Sequence, residues 1–275
     1  MGLADFPWGA FALALPGTAA LVVAMLGATF LVALKVGKHA VVDVTWGLGF
    51  AGIAVASFVF SLASDSSDHT RGLLVAALTA VWGVRLGTHI ALRSRGKGED
   101  PRYEALMQRA PGNPNLFALR RVYLTQGATM WFVSLPVQVA VFETPALGVV
   151  AWIGIGVWAV GFFFETVGDW QLTRFRNDPD SSGQVLDTGL WRYTRHPNYF
   201  GDACVWWGLS LIAFDAWPGV LTVLSPIAIT WLLARGTGKP LLEKDMHDRR
   251  PGYAEYVRRT SGFVPLPPKK LDQSS

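Results

Sequence analysis

The sequence predicts an all-α fold, a polytopic integral membrane bundle of about seven transmembrane helices. The first observation is composition: of 275 residues, 51% are hydrophobic and 16% are charged, with a mean hydropathy of +0.31. A soluble domain carries roughly 25% charged residues, so this chain lacks the polar surface of a water-soluble globule. The second observation is a series of apolar stretches of spanning length. The third is a one-sided distribution of Lys and Arg.

The apolar stretches have the length of membrane spans. A helix needs about 20 predominantly apolar residues to cross the hydrocarbon core, and one of the stretches is shorter than this. The first stretch follows no basic segment and exceeds the ~7–15-residue core of a signal peptide, so we expect it to be retained. The predicted spans are residues 10–34, 40–62, 72–92, 122–142, 146–168, the short 198–214, and 217–235.

The Lys and Arg residues predict the orientation, because cationic loops are kept in the cytoplasm. All of them except Arg71 and Arg85 lie in four segments that seven crossings place on one face. The N-terminus is therefore predicted outside and the C-terminus in the cytoplasm, in a bacterial plasma membrane. Residues 1–275 are predicted to form a single membrane domain. Its cytoplasmic parts are loops 93–121 and 169–197 and the tail 236–275.

Several function classes are not favoured. The single cysteine, Cys204, excludes an intrachain disulfide and a Cys-based zinc cluster, and no metal site is predicted. The basic charges flank apolar spans, which does not indicate nucleic-acid binding. Residues 47–52 spell a dinucleotide fingerprint, but they lie within a span, where helix packing explains the glycines better. The predicted partners are membrane lipids and a lipid-soluble small molecule, with no protein partner.

A polar segment, residues 191–202, leads into the short span. Pro197 suits the first turn of a helix, and Asn198 and Asp202 then lie one turn apart on the same face. A helix N-terminus offers N–H donors for a phosphate or for a nicotinamide carboxamide. The alternative is that these polar groups only cap a short helix at the membrane interface.

A second group follows the fifth span: Glu165, Asp169, Thr173 and Arg176 share one helical face. A carboxylate near lipid is costly, so Glu165 is expected to face the bundle interior or water. The alternative is a ladder of ion pairs in a solvated turn.

A third group lies inside spans two and three. Ionisable residues within a membrane are functional-site hypotheses, and we pair Asp43 with Arg85 or His89. Imidazole groups ordinarily titrate near neutrality, so His89 is a candidate proton donor. The alternatives are a structural ion pair and, for His89, a packing residue.

The tail combines acidic residues, arginines and the tyrosines Tyr253 and Tyr256. Aromatic rings and guanidinium groups can stack on an adenine or pair with phosphates. The alternative is an amphipathic surface helix.

Taken together, the run from Gly189 to Trp207 and the tail residues Tyr253, Tyr256 and 263–265 resemble the steroid 5α-reductase and sterol reductase superfamily. The similarity is nearest to its uncharacterised bacterial reductase-like membrane proteins. The resemblance implies a seven-helix membrane fold that binds NADPH in a cytoplasmic cavity. The positions it assigns to cofactor binding are Arg93, Arg95, Asp169, Arg176, Arg195, Asn198, Tyr199, Asp202 and Tyr256.

The resemblance also implies a reaction, the NADPH-dependent reduction of a carbon–carbon double bond in a lipid or steroid-like substrate. The developing enolate oxygen needs a preorganised donor. The reductases use a Glu and a Tyr from early helices, but no Tyr precedes Tyr103 here. We therefore assign the catalytic donor to His89 or to a protonated Asp43, whose pKa burial would raise.

Two other interpretations remain open. The Arg-His-Pro-x-Tyr-x-Gly element also resembles the isoprenylcysteine carboxyl methyltransferases, which use S-adenosylmethionine. Asn198 and Asp202 favour the reductase, and Glu243-Lys244 stands where the methyltransferases have Glu-Glu. A non-enzymatic transporter or scaffold would explain buried charges as a pathway, but it leaves the cluster of Arg, Asn, Asp and Tyr unexplained.

Overall fold

The computed structural model describes residues 5–64, 68–236, 238–243, 246 and 250–270. Within these ranges all extended regular elements are helical, and the one β-bridge joins Thr194 to Ser261. The all-α prediction is therefore confirmed. In chain order the helices are α1 (Trp8–Val36), α2 (Val41–Ser61), α3 (Thr70–Ser94), α4 (Pro101–Met107), α5 (Pro114–Ala118), α6 (Leu124–Val133), α7 (Leu135–Ala140), α8 (Val149–Asn177), α9 (Pro197–Phe214), α10 (Leu224–Ala234), α11 (Lys239–Glu243) and α12 (Tyr253–Arg259).

Four of the described helices, α1, α2, α3 and α8, are long and apolar enough to cross a membrane. Their outer faces carry exposed apolar side chains, including Leu13 and Val23 on α1, which are 77% and 71% exposed. Contiguous apolar surface of this kind marks contact with lipid or another partner. The prediction of a membrane protein is confirmed by these four helices.

The other three predicted spans are shorter or interrupted helices. Residues 122–142 form α6 and α7, which are separated at Ser134 and preceded by a π-helical turn, Leu119–Tyr123. The short span is α9, which begins at Pro197 as predicted. The last span begins as a 3-10 turn, Gly219–Thr222, and continues as α10. Seven crossings and the orientation of the termini stay predictions.

The chain forms two compact units, each built from two stretches of sequence. The first unit comprises Met1–Ala151 with Ile212–Ser225, and the second comprises Trp152–Leu211 with Pro226–Ser275. The single membrane domain stays a prediction.

In the first unit, α2 and α3 pack closely at glycines. A Cβ atom on Gly47 would lie 2.4 Å from the carbonyl oxygen of Gly83, and one on Gly83 would lie 2.4 Å from that of Gly47. Only glycine permits this approach, since small residues let helix backbones meet. Gly47, which belongs to the segment 47–52 that resembles a dinucleotide fingerprint, therefore serves helix packing, as predicted.

The first unit also contains a buried ionic cluster around Arg71, at the start of α3. The guanidinium donates to Asp215 at 2.9 Å and to the backbone carbonyls of Pro145, Ala146 and Ile212. Glu143 lies 3.9 Å from the same guanidinium and accepts a hydrogen bond from the Gly219 amide. Burial raises the pKa of Glu143 to about 8, although Arg71 and that amide oppose the shift. The cluster joins α3 to the segments that follow α7 and α9.

In the second unit, α8 and α9 make a similar approach. A Cβ atom on either Gly161 or Gly201 would lie 2.6 Å from the carbonyl oxygen of the other. Gly208 faces the Trp158 backbone, with its own Cβ position 2.5 Å from that amide nitrogen. These contacts set the register of the two helices, and that register positions the polar residues described next.

Candidate functional site

The polar faces of α8 and α9 meet at Asp169 and Asn198. The Asn198 side-chain amide donates to Asp169 Oδ1 at 3.1 Å. Asp169 is buried and Asn198 is half-buried. The approach is possible because Gly168 carries no side chain: a Cβ atom there would lie 3.1 Å from Pro197. The structure therefore brings together two residues that the sequence analysis placed on separate helices.

One turn further into the unit, the same interface buries Glu165 on α8 and Asp202 on α9, which are 3% and 8% exposed. A Cβ atom on Gly201 would lie 2.8 Å from the Cβ of Glu165, so the two carboxyl-bearing turns are at the same level. Buried carboxylates are retained only where polar contacts satisfy them. Together with Asp169 and Asn198, these residues form a polar niche between two apolar helices, and we use the term polar niche for these four residues.

The far end of α8 carries Arg176, which is exposed, and borders a cavity of about 400 Å³. The cavity is lined by residues 175–179 and 181–183 and by Arg250 from the tail. Arg250 donates a hydrogen bond to the carbonyl of Gln184. Sequence reasoning placed arginines in the tail but did not bring this one to Arg176, because the approach depends on the fold of the tail.

Arg195 is turned toward the tail. Its guanidinium donates to Glu243 Oε1 at 2.9 Å and to the carbonyl oxygens of Thr260 at 2.7 Å and Val257 at 3.3 Å. These contacts hold the tail against the segment before α9. The cofactor-binding role of Arg195 stays a prediction. Its main partner, Glu243, was not among the predicted site residues.

Glu243 also contacts His196, whose Nε2 lies 2.8 Å from Oε1. Burial raises the pKa of Glu243, but the hydrogen bonds from His196 and Arg195 and their charges outweigh it and bring that pKa to about 2. Burial lowers the pKa of His196, and Glu243 only partly offsets this. The Glu243 side chain is thus a carboxylate and His196 a neutral imidazole at neutral pH. Lys244, which departs from the Glu-Glu pattern of the methyltransferases, lies outside the described residues.

The tail is held on the segment before α9. The Tyr256 hydroxyl donates to the carbonyl of Trp191 at 2.5 Å, and Thr194 donates through its hydroxyl to Phe263 at 2.8 Å. Tyr256 is 3% exposed, and its burial raises the pKa of the phenol. Tyr199 is half-buried and stacks on the His196 ring, with centroids 5.5 Å apart. Binding of the cofactor by Tyr256 and Tyr199 stays a prediction.

The remaining predicted residues lie in the first unit. Asp43, in the first turn of α2, accepts hydrogen bonds from the Tyr103 hydroxyl at 2.6 Å and from Arg102 at 2.9 Å. Gln126 donates to the same Tyr103 hydroxyl at 3.4 Å. Burial, with the nearby Asp43 charge, raises the pKa of Tyr103, which is therefore protonated at neutral pH. Sequence reasoning named Arg85 or His89 as the partner of Asp43 and missed Tyr103 and Arg102. Both belong to α4, a helix within the loop predicted at 93–121, and they are about 60 residues away from Asp43 in the chain.

His89, Arg93 and Arg95 lie at the same end of α3. His89 is half-buried, whereas both arginines are exposed, with Arg93 in the last turn and Arg95 just after it. The structure places these three with Asp43 in one unit and the polar niche in the other.

The comparisons with known proteins identify the family. Residues 29–260 match DUF1295, described as a protein of unknown function. The chain belongs to the DUF1295 family. Every candidate site residue, from Asp43 to Tyr256, lies within the part that matches DUF1295. An uncharacterized protein of Schizosaccharomyces pombe is 25% identical over 222 residues, which cover 71% of this chain and 63% of that protein. This chain therefore spans less than two thirds of that relative. No solved structure matches.

Proposed function

We propose that this DUF1295 protein is an NADPH-dependent membrane oxidoreductase that reduces a carbon–carbon double bond of a lipid or steroid-like substrate. The observation that carries the proposal is the contact between Asn198 and Asp169, with Asp202 buried on the same face of α9. These three positions are among those at which the resemblance to the steroid 5α-reductases implies nucleotide binding. Their convergence from two helices supports a binding niche.

The chemistry of the donor set suits a nicotinamide nucleotide. Carboxylates such as Asp169 and Asp202 accept hydrogen bonds from ribose hydroxyls, and the Asn198 amide can both donate and accept. Guanidinium groups such as Arg176 pair with phosphates through two parallel hydrogen bonds. When bound, the nucleotide supplies the hydride. The residues named here bind and orient it.

The proton step of the same proposal is assigned to the first unit. Asp43 and His89 are the proposed catalytic donors, and Tyr103 adds a hydroxyl that is already hydrogen-bonded to Asp43. A protonated hydroxyl or carboxyl group can donate to an oxygen on which negative charge develops. Replacing Asp43, His89 and Tyr103 separately tests which group donates, since the true donor's loss lowers turnover and leaves nucleotide affinity unchanged.

The membrane arrangement is part of the proposal. We propose seven crossings with the N-terminus outside and the C-terminus and the cofactor site facing the cytoplasm. A variant in which Cys204→Ser removes the only cysteine permits single-cysteine labelling. Cysteines placed at Arg95 and at Arg192 should be shielded from an impermeant maleimide in intact cells, whereas one at Ala63 should react. Labelling of all three from outside would contradict the orientation.

The deciding experiment identifies the small molecule that the detergent-purified protein retains and measures NADPH binding by fluorescence. We expect NADPH to be retained, and Asp202→Asn to weaken its binding, while Glu255→Gln on the exposed face of α12 leaves it unchanged. Retention of S-adenosylmethionine would instead select the methyltransferase, which shares the Arg-His-Pro element. Retention of neither NADPH nor S-adenosylmethionine would favour a transporter or scaffold.

A further inference from the structure

The contact between His196 and Glu243 determines which ring nitrogen of the histidine carries the proton. A carboxylate can only accept hydrogen bonds, so the Nε2 atom at 2.8 Å from Glu243 must be the protonated one. In the neutral ring the other nitrogen, Nδ1, is then an acceptor. No described residue donates a hydrogen bond to Nδ1, because the described contacts of His196 are made by Nε2, the ring face and the backbone.

His196 lies next to the candidate site in the chain, at the start of α9. His196 precedes the first residue of α9, and its carbonyl accepts from the Phe200 amide in the first helical turn. Two residues further along, Asn198 contacts Asp169 in the polar niche. The ring is held between the Tyr199 ring on one face and Glu243 at its edge. An acceptor that is fixed in this way is preorganised for a ligand.

We propose that His196 is a further nucleotide-binding residue, whose Nδ1 accepts a hydrogen bond from a ribose hydroxyl or the carboxamide, and that Glu243 is the positioning residue that fixes this tautomer. The inference rests on the proposed function. Phosphate oxygens are excluded as partners of Nδ1 because an acceptor cannot pair with another acceptor.

Burial is the main reason that the His196 ring stays in the acceptor form. Lys239 and Arg195 disfavour protonation of His196, and Glu243 favours it, while burial is the largest influence and lowers the pKa. Burial raises the pKa of Tyr253, beside Glu243, to about 12, so this side chain is a neutral phenol at pH 7. Tyr199 contributes the ring face that stacks on His196. Protonation at acid pH places a hydrogen on Nδ1 and removes the acceptor.

Two substitutions at His196 separate its two nitrogens. In His196→Gln the amide reaches the Nε2 position and can still donate to Glu243, but no acceptor remains at Nδ1. In His196→Asn the amide oxygen reaches the Nδ1 position, but the contact with Glu243 is lost. We expect the Gln variant to bind NADPH about 2- to 10-fold more weakly, the value of one hydrogen bond, and the Asn variant to retain more of the affinity.

The pH dependence provides a measurement that a purely structural role would not change. NADPH affinity of the wild-type protein should fall as the pH drops through the lowered pKa of His196. Glu243→Gln removes a charge that raises that pKa, so the loss of affinity should move to lower pH. In His196→Gln the loss of NADPH affinity that is due to protonation of His196 should be absent. Any loss that persists in this variant is due to another group, such as the nucleotide phosphate.

The outcomes distinguish this inference from the proposed function. If the wild-type protein binds no NADPH, both are wrong. If it binds NADPH and His196→Gln binds equally well with an unchanged pH profile, only the role of His196 is wrong. If the Gln variant does not fold, the comparison of wild-type protein with Glu243→Gln decides: identical profiles overturn the inference.

Discussion

Tyr103 donates a hydrogen bond of 2.6 Å to Asp43, so a hydroxyl from α4 is held against a carboxylate in the first turn of α2. Arg102, the neighbour of Tyr103, binds the other oxygen of the same carboxylate at 2.9 Å. Arg102 and Tyr103, two consecutive residues of a loop that is predicted to be cytoplasmic, therefore bind a carboxylate that lies within a predicted membrane span. This pairing provides both a stability prediction and a test of the proposed proton step.

Replacing Tyr103 with Phe should lower turnover of NADPH by tenfold or more, because donors aimed at developing charge contribute about 10²–10³ in kcat. The free energy of unfolding should fall by about 1 kcal/mol for the lost hydrogen bond. Steady-state kinetics and thermal unfolding measure the two effects. Tyr193→Phe is the matched control, since that side chain is 44% exposed. Full turnover in the Tyr103 variant would exclude this hydroxyl from the reaction.

Replacing Arg71 with Met should destabilise the protein by about 3–5 kcal/mol, the usual cost of removing one partner from a buried ionic group. Asp215 would lose its cation, and three backbone carbonyls would lose a donor. Thermal unfolding in detergent measures the change. Arg120→Met, at an exposed position, should have little effect. Similar melting temperatures for the two variants would contradict a stabilising role of the Arg71 cluster.

Glu143 predicts a stability that depends on pH. Its pKa is about 8 in the folded protein, above the ordinary 4.5, so between these values the folded state holds a proton that the unfolded state has released. The free energy of unfolding should therefore fall as the pH rises from about 4.5 to 8. In Glu143→Gln this part of the slope should disappear, whereas the exposed Glu104→Gln should keep it. Parallel profiles for the wild-type protein and the Glu143 variant would refute the assignment.

The close approach of α8 and α9 predicts opposite results for two Gly→Ala substitutions. In Gly201→Ala the new Cβ would lie 2.4 Å from the Glu165 amide nitrogen, so the helices must move apart. The contact between Asn198 and Asp169 should weaken, and NADPH affinity and stability should both fall. Gly156→Ala, also in a helix, meets nothing within 4 Å and should be neutral or stabilising, because Ala is the better helix former. Ligand titration and thermal unfolding would detect the difference, and equal behaviour of the two variants would argue against the packing role.

The features that followed from the sequence are those that depend on local composition and spacing. Apolar stretches indicate spanning helices because lipid solvation acts on each residue of a helix independently of its partners. Pro197 marks the start of α9 because its fixed backbone angle suits the first turn of a helix. The shared faces of Asp169 with Glu165, and of Asn198 with Asp202, follow from the helical period alone.

Tertiary structure decided which polar groups meet. Asp43 and Tyr103 are 60 residues apart, and His196 and Glu243 are 47 apart. By charge alone, several residues of the chain could pair with Asp43 or with His196 equally well. Sequence reasoning therefore named Arg85 or His89 as the partner of Asp43 and named no partner for His196. The choice depends on how closely the backbones pack. That distance is set by glycines such as Gly168 and Gly201, whose effect appears only when the facing helix is present.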